Sequence, residues 1–134
     1  MSQGRCSAAT MATTFMVMCL FVLLHYSDVA EAAPKTYYVG GITNGWTFNV
    51  QSWSRGKRFA VGDTLVFKYN RSFHNVVAFY GPRNGGNFAK CIAPRGATVR
   101  QTGRDLIKLV KGPNYFICSY PGHCQSGMKI AIFV

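Results

Sequence analysis

From residue 36 onward the chain is a succession of short, strand-like runs, each closed by glycine or proline. The runs fall at 36–39, 64–69, 75–80, 105–110, 114–119 and 128–134. In 64–69, Leu65, Phe67 and Tyr69 share one face while Thr64 and Lys68 take the other, the period of two that a half-buried strand requires. Gly40-Gly41, Val61-Gly62-Asp63, Gly81-Pro82, Gly85-Gly86, Gly112-Pro113 and Pro121-Gly122 break the runs apart. No internal repeat, low-complexity linker or long period of 3.6 competes with this pattern. Strands this short must share a core between sheets, so the expected fold is all-β: a Greek-key antiparallel β-sandwich. One short helix is expected near 87–92.

The N-terminal stretch follows a different logic. Arg5 supplies a weakly positive start, residues 14–24 (TFMVMCLFVLL) form a short apolar core, and Ala30-Glu31-Ala32 has the small-x-small form of a cleavage site. Residues 1–32 therefore read as a secretory signal peptide, and 33–134 as one domain. The alternative, a retained membrane anchor, needs about 20 apolar residues, and this run is shorter. The strand-like 128–134 lacks the polar spacer and apolar tail of a lipid-anchor signal. The expected mature product is a soluble, secreted monomer.

Secretion changes what the cysteines mean. Cys6 and Cys19 leave with the signal, so Cys91, Cys118 and Cys124 remain in an oxidising compartment, where two should pair and one is left over. Pairing Cys91 with Cys124 is preferred, because Cys118 alone stands at metal-ligand spacing from His123. Pairing Cys118 with Cys91 stays open on arithmetic alone.

The leftover thiol belongs to a Cys-x4-His-x4-Met run, Cys118, His123 and Met128, with His74 upstream in a strand-like stretch. One thiolate, two imidazoles and one thioether suit copper in a His2Cys plane with a weak axial Met, and zinc is the main competitor. His25, Met1, Met11, Met16 and Met18 all lie in the signal, so the domain holds no other His or Met. The turn-rich residues 119–122 and 125–127 let the connection fold back and bring three donors to one point, while a neighbouring strand supplies His74.

Beside the ligands, Tyr38-Val39-Gly40-Gly41, Gly45-Trp46-Thr47-Phe48, Trp53 and the run from Phe59 to Phe67 (FAVGDTLVF) resemble the phytocyanins, plant blue-copper proteins of the cupredoxin fold. Strong basicity, Met128 and the missing anchor tail place the resemblance in the plantacyanin, or basic blue protein, branch. It covers essentially the whole of 33–134. It implies one type 1 copper on His74, Cys118, His123 and Met128, and a Cys91–Cys124 disulfide beside the site. It further implies that Asn75 steadies the thiolate by hydrogen bonding and that His123 reaches the surface through an apolar rim as the electron port. Relatives are associated with plant reproductive tissue and pollen-tube guidance.

Charge narrows the partners. Removing Arg5, Asp28 and Glu31 leaves fourteen basic side chains against Asp63 and Asp105. The basic residues are scattered singly or in pairs such as Lys57-Arg58 rather than drawn into a stripe, and secretion also argues against nucleic acid. An acidic redox partner or a cell-wall polyanion in the apoplast fits better. With two carboxylates and a site already filled by protein donors, an enzyme is not expected. The expected function is single-electron transfer by Cu(I)/Cu(II) cycling; the competing one is extracellular signalling or cell-wall interaction with structural copper. Asn70-Arg71-Ser72 is an N-glycosylation sequon.

Overall fold

The computed structural model describes residues 8–26 and 32–134. The chain divides into two compact units, 1–33 and 34–134. In the first, helix α1 (Ala8–Tyr26) carries exposed apolar side chains all round, with Thr13 and Thr14 hydroxyls donating back to carbonyls one turn earlier. No described helix is long and apolar enough to cross a membrane. Arg5, Asp28 and the Ala30-Glu31 part of the expected cleavage site lie outside the described residues.

The second unit holds seven strands: β1 (Thr36–Tyr38), β2 (Thr64–Lys68), β3 (Val76–Tyr80), β4 (Thr98–Arg100), β5 (Arg104–Lys108), β6 (Pro113–Ile117) and β7 (Lys129–Phe133). They form a three-stranded sheet in the order β1-β2-β5 and a four-stranded sheet in the order β4-β3-β6-β7. Every pairing is antiparallel except β1 with β2, which run parallel with Thr36 opposite Thr64. Residues 39–63 form that crossover, long enough to return the chain to its starting end. They carry helix α2 (Gly41–Asn44) and a 3-10 turn at Val50–Ser54, neither visible as a strand or helix period. The sandwich expectation holds, with this one parallel edge added.

The alternation within strands assigns each side chain to a layer. Leu65 and Phe67 of β2, Ile107 of β5, Val76 and Ala78 of β3, Phe116 of β6, and Ile130 and Ile132 of β7 meet between the sheets. Phe67 bridges the layers, its ring 5.1 Å from Trp46 and 5.2 Å from Phe116. Each such ring contributes about 1.5–3 kcal/mol through burial. The four-stranded sheet is buried on its outer face too. There Val77, Phe79, Tyr115 and Ile117 lie under Phe88, Cys91 and Ala97. The cover is a 3-10 turn (Pro82–Asn84) running into helix α3 (Gly85–Ala89), so the expected helix at 87–92 starts and ends earlier. Cys91–Cys124 clamps the cover down, with 5.8 Å between Cα atoms. The disulfide is the preferred pairing, and Cys118 remains a free, buried thiol.

Candidate metal centre

Inward-facing positions of β6 alternate through Phe116 to Cys118, so the strand delivers its thiol to the sheet interface. The chain then closes on itself. The Cys118 N–H donates to the Met128 carbonyl at 3.0 Å, and the Met128 N–H donates to the His123 carbonyl at 3.1 Å. Within that loop, His123 N–H bonds to Tyr120 and Gly127 N–H to Cys124. Gly127 has φ +83°, and a Cβ there would stand 3.1 Å from the backbone of Asn49. Only glycine lets the loop pass this close to the Val50–Ser54 turn, whose Asn49 and Val50 N–H groups donate to Ser126 and Gly127.

His74 arrives from the other side. Its N–H and that of Phe73 both donate to the Asn70 carbonyl at 3.1 Å, a tight turn that aims the imidazole at the β6–β7 loop. His74 Nδ1 lies 3.1 Å from His123 Nδ1, and Cys118 Sγ lies 3.5 Å from the same His123 atom. One donor atom from each of His74, Cys118 and His123 falls within 4.8 Å of the others, the one such group among the described residues. Donors held about 2.0–2.3 Å from one first-row ion stand roughly 3–4 Å apart, so the spacing fits a single ion. Cys118 and Met128 are wholly buried, whereas the two imidazoles are partly exposed. Burial, and secondarily the neighbouring His123, lowers the His74 pKa and favours the neutral ring that binds metal.

Asn75 is buried and acts one residue beyond the thiol. Its Nδ2 donates to Ser119 Oγ at 2.7 Å, and its Oδ1 accepts the Ser119 N–H at 2.9 Å, while the Trp46 indole donates to the Asn75 carbonyl at 2.9 Å. Asn75 thus fixes the backbone beside Cys118.

Sequence reasoning did not single out the aromatic residues around the imidazoles. Phe48 meets the His123 ring edge-on at 4.9 Å and His74 at 5.7 Å, and Tyr120 stacks on His123 at 5.7 Å. Gln101 holds Tyr120, donating to its hydroxyl at 2.6 Å and to the Arg71 carbonyl at 2.9 Å. Phe48, Ser72, Phe73, His74, Tyr120 and His123 line an open depression of about 510 Å³. Phe48 and Phe73, 41% and 61% exposed in loops, are the signal that was available: large aromatics with no strand period to bury them.

Two stacked sheets, with a buried thiol and two imidazoles converging at the loops of one end, define a cupredoxin-type blue copper protein. A family described as plastocyanin-like domain matches residues 46–128. The chain is 58% identical to the basic blue protein of Cucumis sativus over 96 residues, covering 72% of this chain and 95% of that relative. It is 43% identical over 132 residues to a chemocyanin of Lilium longiflorum, covering 98% of each. The solved structure of cucumber basic protein, described as a blue copper protein, matches with a TM-score of 0.68 at 56% identity, covering 74% of this chain and 98% of that one. The chain belongs to the phytocyanin, or plastocyanin-like, family of blue copper proteins. Its donor set fits one type 1 copper.

Proposed function

We propose that the protein is a secreted one-electron carrier, with His74, Cys118 and His123 as the strong ligands and Met128 as the weak axial one. Copper bound there supplies the Cu(I)/Cu(II) couple. The observation that carries this reading is the split burial of the donors, with thiol and thioether sealed in the core while the imidazoles border an aromatic depression. The sealed side keeps water from the thiolate, and the β6–β7 loop and the Asn75–Ser119 clamp hold the donors in one arrangement for both oxidation states. His123, between Phe48 and Tyr120, is the route to a docked partner. The protein's two carboxylates outside the N-terminal unit are both buried and hydrogen-bonded, which suits a carrier better than an acid–base catalyst.

Adding Cu(II) to the metal-free protein should give an intense visible band from thiolate-to-copper charge transfer, absent in Cys118→Ser. A colourless copper-loaded wild type would sink the assignment.

A second reading, extracellular signalling or cell-wall binding with structural copper, is favoured by a separate observation. The unit 34–134 presents its fourteen Lys and Arg with no exposed side-chain carboxylate, since Asp63 and Asp105 are each 3% exposed. The partner of such a surface is an acidic protein or a polyanion of the apoplast. If Cys118→Ser keeps full biological activity, electron transfer is not the operative role.

A further inference from the structure

The function so far leaves the sequon Asn70-Arg71-Ser72 unused, and the structure puts it in an unusual place. Asn70 begins the turn whose carbonyl holds the N–H of His74. Its side chain is exposed, and its Oδ1 accepts the Ser72 N–H at 2.9 Å. That bond turns Nδ2 outward, and Nδ2 makes no hydrogen bond to another described residue. Arg71 and Ser72 are exposed as well, so nothing in the fold crowds a substituent on this nitrogen. Ser72 and Phe73, two and three residues on, form one wall of the depression over His74 and His123.

We propose that Asn70 carries an N-linked glycan, and that this glycan guards one side of the imidazole depression against large partners. The inference rests on the secreted reading, because the transfer needs the secretory pathway. The donor is an oligosaccharide linked to a lipid pyrophosphate. Asn70 Nδ2 forms a bond to the anomeric carbon of the first sugar, the bond from that carbon to the pyrophosphate oxygen breaks, and lipid pyrophosphate departs. One amide proton is lost to a base of the transferase. No electrons change hands.

The position decides the consequence. A hydrated, mobile sugar chain beside Phe73 occupies the approach over that wall and over Tyr120, which Gln101 ties to the Arg71 carbonyl within the sequon, and leaves the Phe48 side open. A partner protein must then dock from the Phe48 side, whereas a small reductant passes unhindered. Arg71 lies within the sequon and is exposed, so the glycan also covers that cation.

The full chain is expressed in a plant secretory host and recovered from the medium. Its intact mass is measured before and after peptide-N-glycosidase, alongside Asn70→Gln and Ser72→Ala. Ser72→Ala removes the sequon but keeps the backbone N–H that Asn70 binds. Wild type should lose an oligosaccharide mass on treatment, and both variants should lack it from the start. Wild type secreted at the bare polypeptide mass overturns the glycan while secretion stands; wild type retained in the cell and unmodified overturns both. For the guarding role, copper-loaded protein is reduced by hexaammineruthenium(II) and by reduced cytochrome b5, an acidic haem protein. Deglycosylation should speed the second several-fold and leave the first unchanged, and equal rates with cytochrome b5 would remove that role.

Discussion

At Cys118 and Met128 the chain places its two sulfur donors where no solvent reaches, and at His74 and His123 its two nitrogen donors where some does. A weak axial ligand adjusts the stability of the two oxidation states without deciding whether the ion binds. Met128→Gln should therefore retain copper and lower the reduction potential in voltammetry; an unchanged potential would mean that Met128 serves the core alone. His74 has a different signature. Its folded pKa lies below the ordinary histidine value, chiefly through burial, so protonation favours the unfolded chain. That contribution is fully present above the unfolded value of about 6.5 and is lost as pH falls through the lowered folded one. The metal-free protein should thus melt lower at pH 5 than at pH 7.5, and His74→Asn should shrink the difference. An undiminished difference in His74→Asn would assign the pH effect elsewhere. Asn75→Ala removes both bonds to Ser119 and strands a backbone N–H, which should cost about 1–3 kcal/mol in denaturant unfolding.

The elements show which parts of this architecture a sequence can announce. Six of the seven strands lie within or next to the strand-like runs: β5 and β7 write the burial of one face as a period of two, while β2, β3 and β6, buried on both faces, stand out as short runs closed by turn residues. β4 (Thr98–Arg100) was invisible: all three side chains are exposed at the sheet edge, so no face selects its composition. The parallel β1–β2 pair was also hidden, since alternation reports faces and not direction. At the site the ligands were legible because few residue types serve the chemistry. The Phe48 and Tyr120 walls were not, because they come together only through loops whose path is set by tertiary contacts such as Gln101 to Tyr120. The cover over the four-stranded sheet depends on its staple. Replacing Cys91 and Cys124 together by Ser should cost roughly 3–4 kcal/mol on the chain-entropy model. Thermal unfolding of the copper-free pair measures it, and a loss below about 1 kcal/mol would mean that α3 and Phe88 hold the cover unaided.

At the scale of the whole domain, electrostatics is governed by what is hidden. Asp63 accepts from the N–H groups of Lys35 and Ala60 at 2.8 and 2.9 Å. Asp105 accepts from Thr102 Oγ1 at 2.9 Å and from the Tyr69 hydroxyl, which burial and this bond together keep protonated well into the alkaline range. Each carboxylate is thereby spent on the fold: one ties the chain entering β1 to the turn before β2, the other ties β5 to the loop after β2. Binding to a polyuronate resin should be strong at low ionic strength and collapse as salt rises, since screening shortens the reach of every exposed cation. Retention that ignores salt would point to an uncharged contact. The burial of Asp63 and Asp105 also governs how copies of the domain meet. Two copies have only cations to offer each other across most of their surfaces, so neither can answer the other's lysines and arginines with an acidic side chain. Crowding should keep them apart, and a multivalent anion becomes the natural mortar between them. On the proposed polyanion reading, the protein would gather where such anions are laid down.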